Sequence, residues 1–269
     1  MADLSKLREE ELARQARQHM ASLRAAGVEW LPTAPLTVEP PAAEPAASRA
    51  PTGAPESAGT KTSLFEPAAK AEEPGLTLEQ RRQALRVLAE EVSTCVRCPE
   101  LVASRRQTVF GVGEAGVDLC FVGEAPGAEE DAQGEPFVGP AGQLLNRIIA
   151  ACRMKREEVF ICNIIKCRPP GNRTPLVHEV ANCAGYLHRQ LELVRPRFIC
   201  ALGSVAAMNL LGTTQSLGRL RGRFHDYRGI PVLVTYHPAY LLPHRSPQKK
   251  KDVWQDMKML MARMGRPVE

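Results

Sequence analysis

The residues best equipped for chemistry begin at Asp118–Gly127, DLCFVGEAPG. The apolar run Leu119, Cys120, Phe121, Val122 stops at Gly123-Glu124-Ala125-Pro126-Gly127. An apolar run broken by Gly and Pro reads as a buried strand opening into a tight loop. In α/β proteins ligands bind where strands end. The loop offers one carboxylate, Glu124, and backbone amides freed by the turn. An acidic run follows at Glu129, Glu130 and Asp131, then Phe137-Val138-Gly139. Alone, this is an ordinary strand-to-helix loop, and its acidic run reads as a solvated turn or the first-turn charge of a helix. Two distant residues change its weight. Asn163 interrupts an otherwise apolar strand, and a buried amide needs hydrogen-bond partners. His237 follows the apolar run Ile230–Tyr236 and precedes Pro238, so it too stands at a strand end. His178, His188, His225 and His244 have no comparable setting.

The cysteines form a second group. Cys95, Cys98, Cys167 and Cys183 read C-x2-C-x68-C-x15-C. The first three lie in polar or Pro-rich loops, and Cys183 lies in the helix that follows. Cys120, Cys162 and Cys200 sit inside apolar strands, and Cys152 follows an apolar helical face, which marks those four as small core residues. Four thiolates in the first set suit zinc or a [4Fe–4S] cluster. Spacing does not choose between them, although zinc ribbons usually carry a second C-x2-C and this chain has none beyond Cys95–Cys98. The bland alternative is four unrelated thiols.

These residues need a scaffold. The 269 residues carry 44% hydrophobic side chains, 5% aromatics and a net charge of +5. That composition fits a soluble globular protein with a mild lean toward anionic partners. No run approaches the roughly 18 apolar residues of a membrane span, and the charged N-terminus lacks a signal peptide's apolar stretch. A cytoplasmic, nucleoid-associated protein with reduced thiols is the expectation. Leu4 to about Ala26 carries an imperfect helical stripe, either a docking helix for a protein partner or a weakly populated one. Residues 31–76 hold nine of the 22 prolines and few large apolars, the mark of a disordered linker. Order resumes at Thr77-Leu78-Glu79-Gln80, a capping box, which opens a domain over 77–269.

Within it the pattern predicts strands Leu119–Gly123, Val159–Lys166 and Arg197–Leu202. Arg221–Tyr227 and Ile230–Tyr236 read as a hairpin. Helices are expected to about Ser93, over Ala141–Cys152, from Thr174-Pro175 to Val194, from Gly203-Ser204 to Leu211, and from Ser246-Pro247 onward. Strands alternating with helices imply an α/β three-layer sandwich, a parallel sheet covered on both faces.

Taken together, the chain resembles the family-4, iron–sulfur type uracil-DNA glycosylases. The resemblance rests on Gly123–Gly127, Phe137-Val138-Gly139 with Ala141-Gly142, and Asn163 ahead of Lys166-Cys167-Arg168-Pro169-Pro170. His237-Pro238-Ala239 and the four cysteines complete it. It covers roughly Thr77–Met261. It implies a central four-stranded parallel sheet, a [4Fe–4S] cluster on Cys95, Cys98, Cys167 and Cys183, and a monomeric DNA-repair enzyme that hydrolyses the N-glycosidic bond of uracil in single- or double-stranded DNA. A flipped base needs a stacking face, supplied by Phe137. A side-chain amide both donates and accepts, so Asn163 can tell uracil from cytosine. His237 is the expected donor to the leaving base. Gly123, Glu124 and Ala125 complete the uracil site. Ala125 stands where better-known uracil-DNA glycosylases place a water-orienting Asp, which makes Glu124 the best-placed local carboxylate. Gly127 stands in the region of the aromatic that elsewhere rejects thymine.

For DNA, Tyr240 and Leu241 suit a wedge that fills the gap left by the base. Arg221, within the Arg219–Arg223 group, and Arg245 suit phosphates. The competing reading is a non-catalytic iron–sulfur nucleic-acid-binding protein, which has no need of the constellation Phe137, Asn163 and His237.

Overall fold

The computed structural model describes residues 75–242 and 247–268. The expected N-terminal helix, the linker up to residue 74 and Arg245 lie outside the described residues.

The first helix, α1 (Leu78–Ser93), starts at the expected capping box. Thr77 Oγ1 accepts from the Gln80 amide at 3.2 Å, and Gln80 Oε1 accepts from the Thr77 amide at 2.8 Å. Short α2 (Pro99–Ser104), strand β1 (Leu119–Gly123), α3 (Ala128–Gln133), α4 (Pro140–Ala151) and β2 (Val159–Asn163) follow. Then come α5 (Val177–Val194), β3 (Phe198–Leu202), α6 (Ser204–Leu211), α7 (Leu217–Leu220), β4 (Phe224–Tyr227), β5 (Ile230–Thr235) and α8 (Pro247–Arg263).

The sheet order is β2-β1-β3-β5-β4. The first four strands are mutually parallel, and β4 runs antiparallel to β5. The implied four-stranded sheet is thereby corrected to five strands. The fifth is the first arm of the expected hairpin, whose turn places Arg228 and Gly229 at φ 50° and 82°. Two successive left-handed residues match the twist of a tight hairpin, so the arm stays in register and joins the sheet.

Two boundaries also move. Strand β2 stops at Asn163 rather than Lys166, because the Lys166 ammonium folds back onto the Asn163 carbonyl at 2.8 Å. Helix α5 begins at Val177 rather than near Pro175, because Glu179 caps it by accepting from the Leu176 amide at 2.7 Å.

Every residue of β1, β2 and β3 is buried. Successive side chains point to opposite faces. Cys120, Val122, Cys162 and Ile199 meet Leu88, Val92 and Leu187 on one face. Phe121, Ile161 and Cys200 meet Leu145, Ile149, Met257 and Leu260 on the other. No helix among the described residues is long and apolar enough to cross a membrane.

A charged knot fastens α8 to the end of β5. The buried Asp256 carboxylate accepts from Thr235 Oγ1 at 2.6 Å and pairs with Arg221 at 2.8 Å. Removing one partner strands the other in a low-dielectric setting. Asp256→Ala is expected to lower unfolding stability by about 3 kcal/mol, measured by denaturant titration, with Asp256→Asn losing less.

Candidate active site

The site is built at the carboxyl ends of the parallel strands. Gly123 and Asn163 are register partners, the last pair of the β1–β2 ladder. Phe137 reaches over them from the loop between α3 and α4. A Cβ on Gly123 would overlap Asn163 Oδ1 and stand 2.5 Å from Phe137 Cζ, so only glycine permits this three-way approach. Phe137 itself has φ 54°, a backbone state that costs a non-glycine residue on the order of 1 kcal/mol or more. Gly142 makes room for its carbonyl, which any side chain there would overlap.

Glu130 holds the loop in this shape. Its Oε2 accepts from the Gly127 amide at 3.1 Å, and its Oε1 accepts from the Val138 and Gly139 amides, each at 3.0 Å. The carboxylate therefore ties the end of the Gly123–Gly127 loop to the Phe137 loop. A Cβ on Gly127 would meet Glu130 Oε2 at 2.6 Å, which closes that position to a bulky side chain. The buried Asp131 does similar work for Arg106, accepting from its amide at 2.9 Å.

His237 arrives two residues beyond β5. Gly203 gives it space: a Cβ there would lie 3.0 Å from the His237 Cβ. The His237 ring faces Phe137, with centroids 5.5 Å apart and planes at 32°. Its Nδ1 accepts from the Ala239 amide at 3.2 Å. The neutral ring therefore carries its proton on Nε2. Burial pushes the imidazole down to about 4, against a weaker opposing pull from Glu130.

A cavity of about 280 Å³ collects these groups. Its lining includes Glu124, Ala125, Phe137, Asn163 and His237, so the structure brings five of the expected base-contacting residues together, with Gly123 immediately beneath. Asn163 is 1% exposed, yet its Oδ1 has no hydrogen-bond partner among the described residues. Such an orphaned acceptor needs an explanation, and an unfilled ligand site is one. Burial raises the Glu124 carboxyl above its ordinary value.

The expected DNA contacts fare differently. Tyr240 is 38% exposed and stacks on Tyr236 with centroids 5.5 Å apart. Leu241 is 3% exposed and belongs to the core beneath α8. It is not available as a wedge, because its turn directs it into the core. Arg221 is a correction of the same kind. Its side chain is 14% exposed, committed to Asp256 and laid over the Tyr236 ring at 4.2 Å, so it is no free phosphate ligand. Sequence reasoning missed the roles of Glu130, Pro169, Asn172 and Arg173, all four of which line the cavity. A Glu three residues after Gly127, at the start of a helix, was the available signal for Glu130.

Cys95, Cys98, Cys167 and Cys183 line one further cavity, behind the loop that follows Asn163. Arg105 donates to Cys167 Sγ at 2.8 Å and to the Cys95 carbonyl at 2.7 Å. Asn182 donates to Cys98 Sγ at 3.6 Å. Among the described residues no three His, Cys, Asp or Glu side chains converge as they would on a single metal ion. Cys120, Cys152, Cys162 and Cys200 are buried in the core, as expected.

The His237 shift fixes a sign. Burial disfavours imidazolium, so the folded protein takes its proton at lower pH than the unfolded chain. Stability linked to His237 is present above the ordinary value near 6.5 and is lost as pH falls toward about 4. Nitrogen NMR of labelled histidine is expected to show one ring neutral from pH 8 to pH 5, with Nε2 protonated and a midpoint near 4. A midpoint near 6.5 would contradict the burial argument.

Comparison with known proteins agrees with this geometry. Residues 110–258 match the model of the Uracil DNA glycosylase superfamily. The chain is 41% identical over 179 residues to the Type-4 uracil-DNA glycosylase of Thermotoga maritima, covering 66% of this chain and 93% of that one. It is 42% identical over 183 residues to the Type-4 enzyme of Pyrobaculum aerophilum, covering 65% and 92%. With the Type-4 enzyme of Archaeoglobus fulgidus it shares 38% over 186 residues, covering 66% and 92%. With the strand-end cavity, its orphaned amide and its neutral histidine already in place, these matches show that the chain belongs to the uracil-DNA glycosylase superfamily, in its type-4 family.

Proposed function

We propose that the cavity at the ends of β1, β2 and β5 holds a uracil swung out of DNA, read by Asn163, stacked on Phe137 and assisted in leaving by His237. The chain is a uracil-DNA glycosylase, a DNA-repair hydrolase of N-glycosyl bonds. The observation that carries the assignment of roles is the buried, partnerless Asn163 Oδ1. Uracil presents N3–H as a donor and O4 as an acceptor, and one side-chain amide satisfies both. Cytosine offers the reverse pair and would leave buried groups unmatched, which costs more than the lost bond.

Cleavage develops negative charge on the departing base. The Nε2–H of a neutral His237, already oriented by the Ala239 amide, is the donor for O2. A preoriented donor in a water-poor cavity stabilises charge without reorganisation. Water then attacks the sugar and leaves an abasic site. Glu130 and Asp131 are committed to backbone amides, so neither is free to orient that water. Glu124 lines the cavity with no hydrogen bond to its carboxylate among the described residues. Its raised pKa suits a base better than an ordinary surface carboxylate.

The four cysteines line one cavity, and four thiolates there suit a [4Fe–4S] cluster, the group that the resemblance to the type-4 enzymes implies. N–H donors to thiolate sulfur are the usual surroundings of such a group. When bound, it would tie the α1–α2 connection, the loop after β2 and α5 together as a structural staple. Tyr240 is the better-placed residue to meet the DNA beside the flipped base.

Two tests follow. Uracil-containing single- and double-stranded oligonucleotides, treated with alkali after incubation, should break at uracil. Asn163→Ala and His237→Ala should each lose about 100-fold in rate or more. Cleavage at the wild-type rate by the double variant would refute the assignment. Purified wild type should be brown and contain iron. Cys98→Ala should lose that absorbance and lower stability and DNA affinity more than the rate of bond cleavage on saturating substrate.

A further inference from the structure

Lys166 is 1% exposed, between two cavities. Its ammonium donates to the Asn163 carbonyl at 2.8 Å, and it also lines the cysteine cavity. Among the described residues it forms no ion pair with any carboxylate. Cys95, Cys98, Cys167 and Cys183 line that same cavity. A buried cation without a counter-charge is expensive. A thiolate-ligated metal cluster with net negative charge would supply that counter-charge.

The carbonyl it holds also matters. Asn163 is the last residue of β2, an edge strand of the sheet. A buried carbonyl must find a donor. The donor here is Lys166, three residues on, so one ammonium sets both the turn and the base of the amide side chain that faces the uracil cavity.

A second strut runs parallel to the first. Arg173 lines the uracil cavity, and Glu179, four residues ahead of Cys183, lines the cysteine cavity. The two are joined by bonds of 2.7 and 2.9 Å, with Glu179 buried. The loop from Asn163 to Arg173 is therefore the shared wall of both cavities.

We propose that Lys166 is a positioning residue that uses the negative charge of the cysteine-bound cluster to hold the base-reading Asn163 in place. The inference rests on the cluster reading above, and the iron content of wild type tests that reading separately. The ammonium has two jobs, and both can be read without relying on turnover alone. Lys166→Met keeps the length and removes the charge. It is expected to retain iron, shift the cluster's reduction potential to more negative values, and weaken inhibition by free uracil about tenfold, the scale of one charge-assisted hydrogen bond. KM for a uracil-containing single strand should rise more than kcat falls. Lys166→Arg keeps the charge and should restore the potential and much of the uracil affinity. Unchanged potential or unchanged uracil inhibition in iron-loaded Lys166→Met would overturn the proposal. So would Met and Arg variants that behave alike, whether both load iron normally or both fail to.

Discussion

The site depends on one steric allowance, the missing side chain at Gly123. It lets the end of β1 lie beside Asn163 and beneath Phe137 at distances no Cβ would tolerate. The parallel register sets who meets whom, since Gly123 and Asn163 are the final ladder pair. The amide is thereby buried between a strand and an aromatic ring, and its Oδ1 has no protein partner among the described residues. In the proposed reading a base edge fills that unmet hydrogen bond. The same packing places the Phe137 ring beside His237, so Phe137, Asn163 and His237 share one small volume.

Charge in this volume is assigned sparingly. Glu130 and Asp131 spend their oxygens on backbone amides and act as architecture. Glu124 keeps its carboxylate toward the cavity and is raised by burial. His237 is held neutral by the same burial. The result is one carboxylate facing the cavity and one neutral imidazole, which the proposed mechanism uses for the water and the leaving base. Two groups whose environments push their protonation in useful directions are a common signature of acid–base assignment.

Much of this was legible in the sequence, for identifiable reasons. Strand ends marked by Gly and Pro announced the Gly123–Gly127 loop, and a polar residue in an apolar strand announced Asn163. Period and capping residues placed α1, α4 and α8 to within a residue or so. What could not be read depended on which way a side chain turned. Leu241 and Tyr240 are neighbours in one turn, and only packing decides that the leucine goes in and the tyrosine out. Arg221 looked like one of a basic group, but Asp256, 35 positions away, claims it. Glu130 was hidden in an acidic run whose members have the same composition and different partners. Lys166 carried no sign of burial, since lysine is among the residues least often fully buried.

The fifth strand shows how an apparently peripheral element serves the site. Without β4, β5 would be an edge strand, paired on one side to β3 alone. Edge strands fray and shift register more easily than central ones. With β4 in place, β5 is paired on both sides at Val232 and Leu233, with β4 holding its start and β3 its end, and Thr235 is anchored to Asp256. His237 begins two residues later. A donor that must stay within hydrogen-bond reach of a departing oxygen tolerates little drift, since misplacement by about 1 Å can cost 100-fold in rate. The antiparallel addition to an otherwise parallel sheet is thus best understood through the residue it steadies: it braces the strand whose end carries His237, the proposed donor.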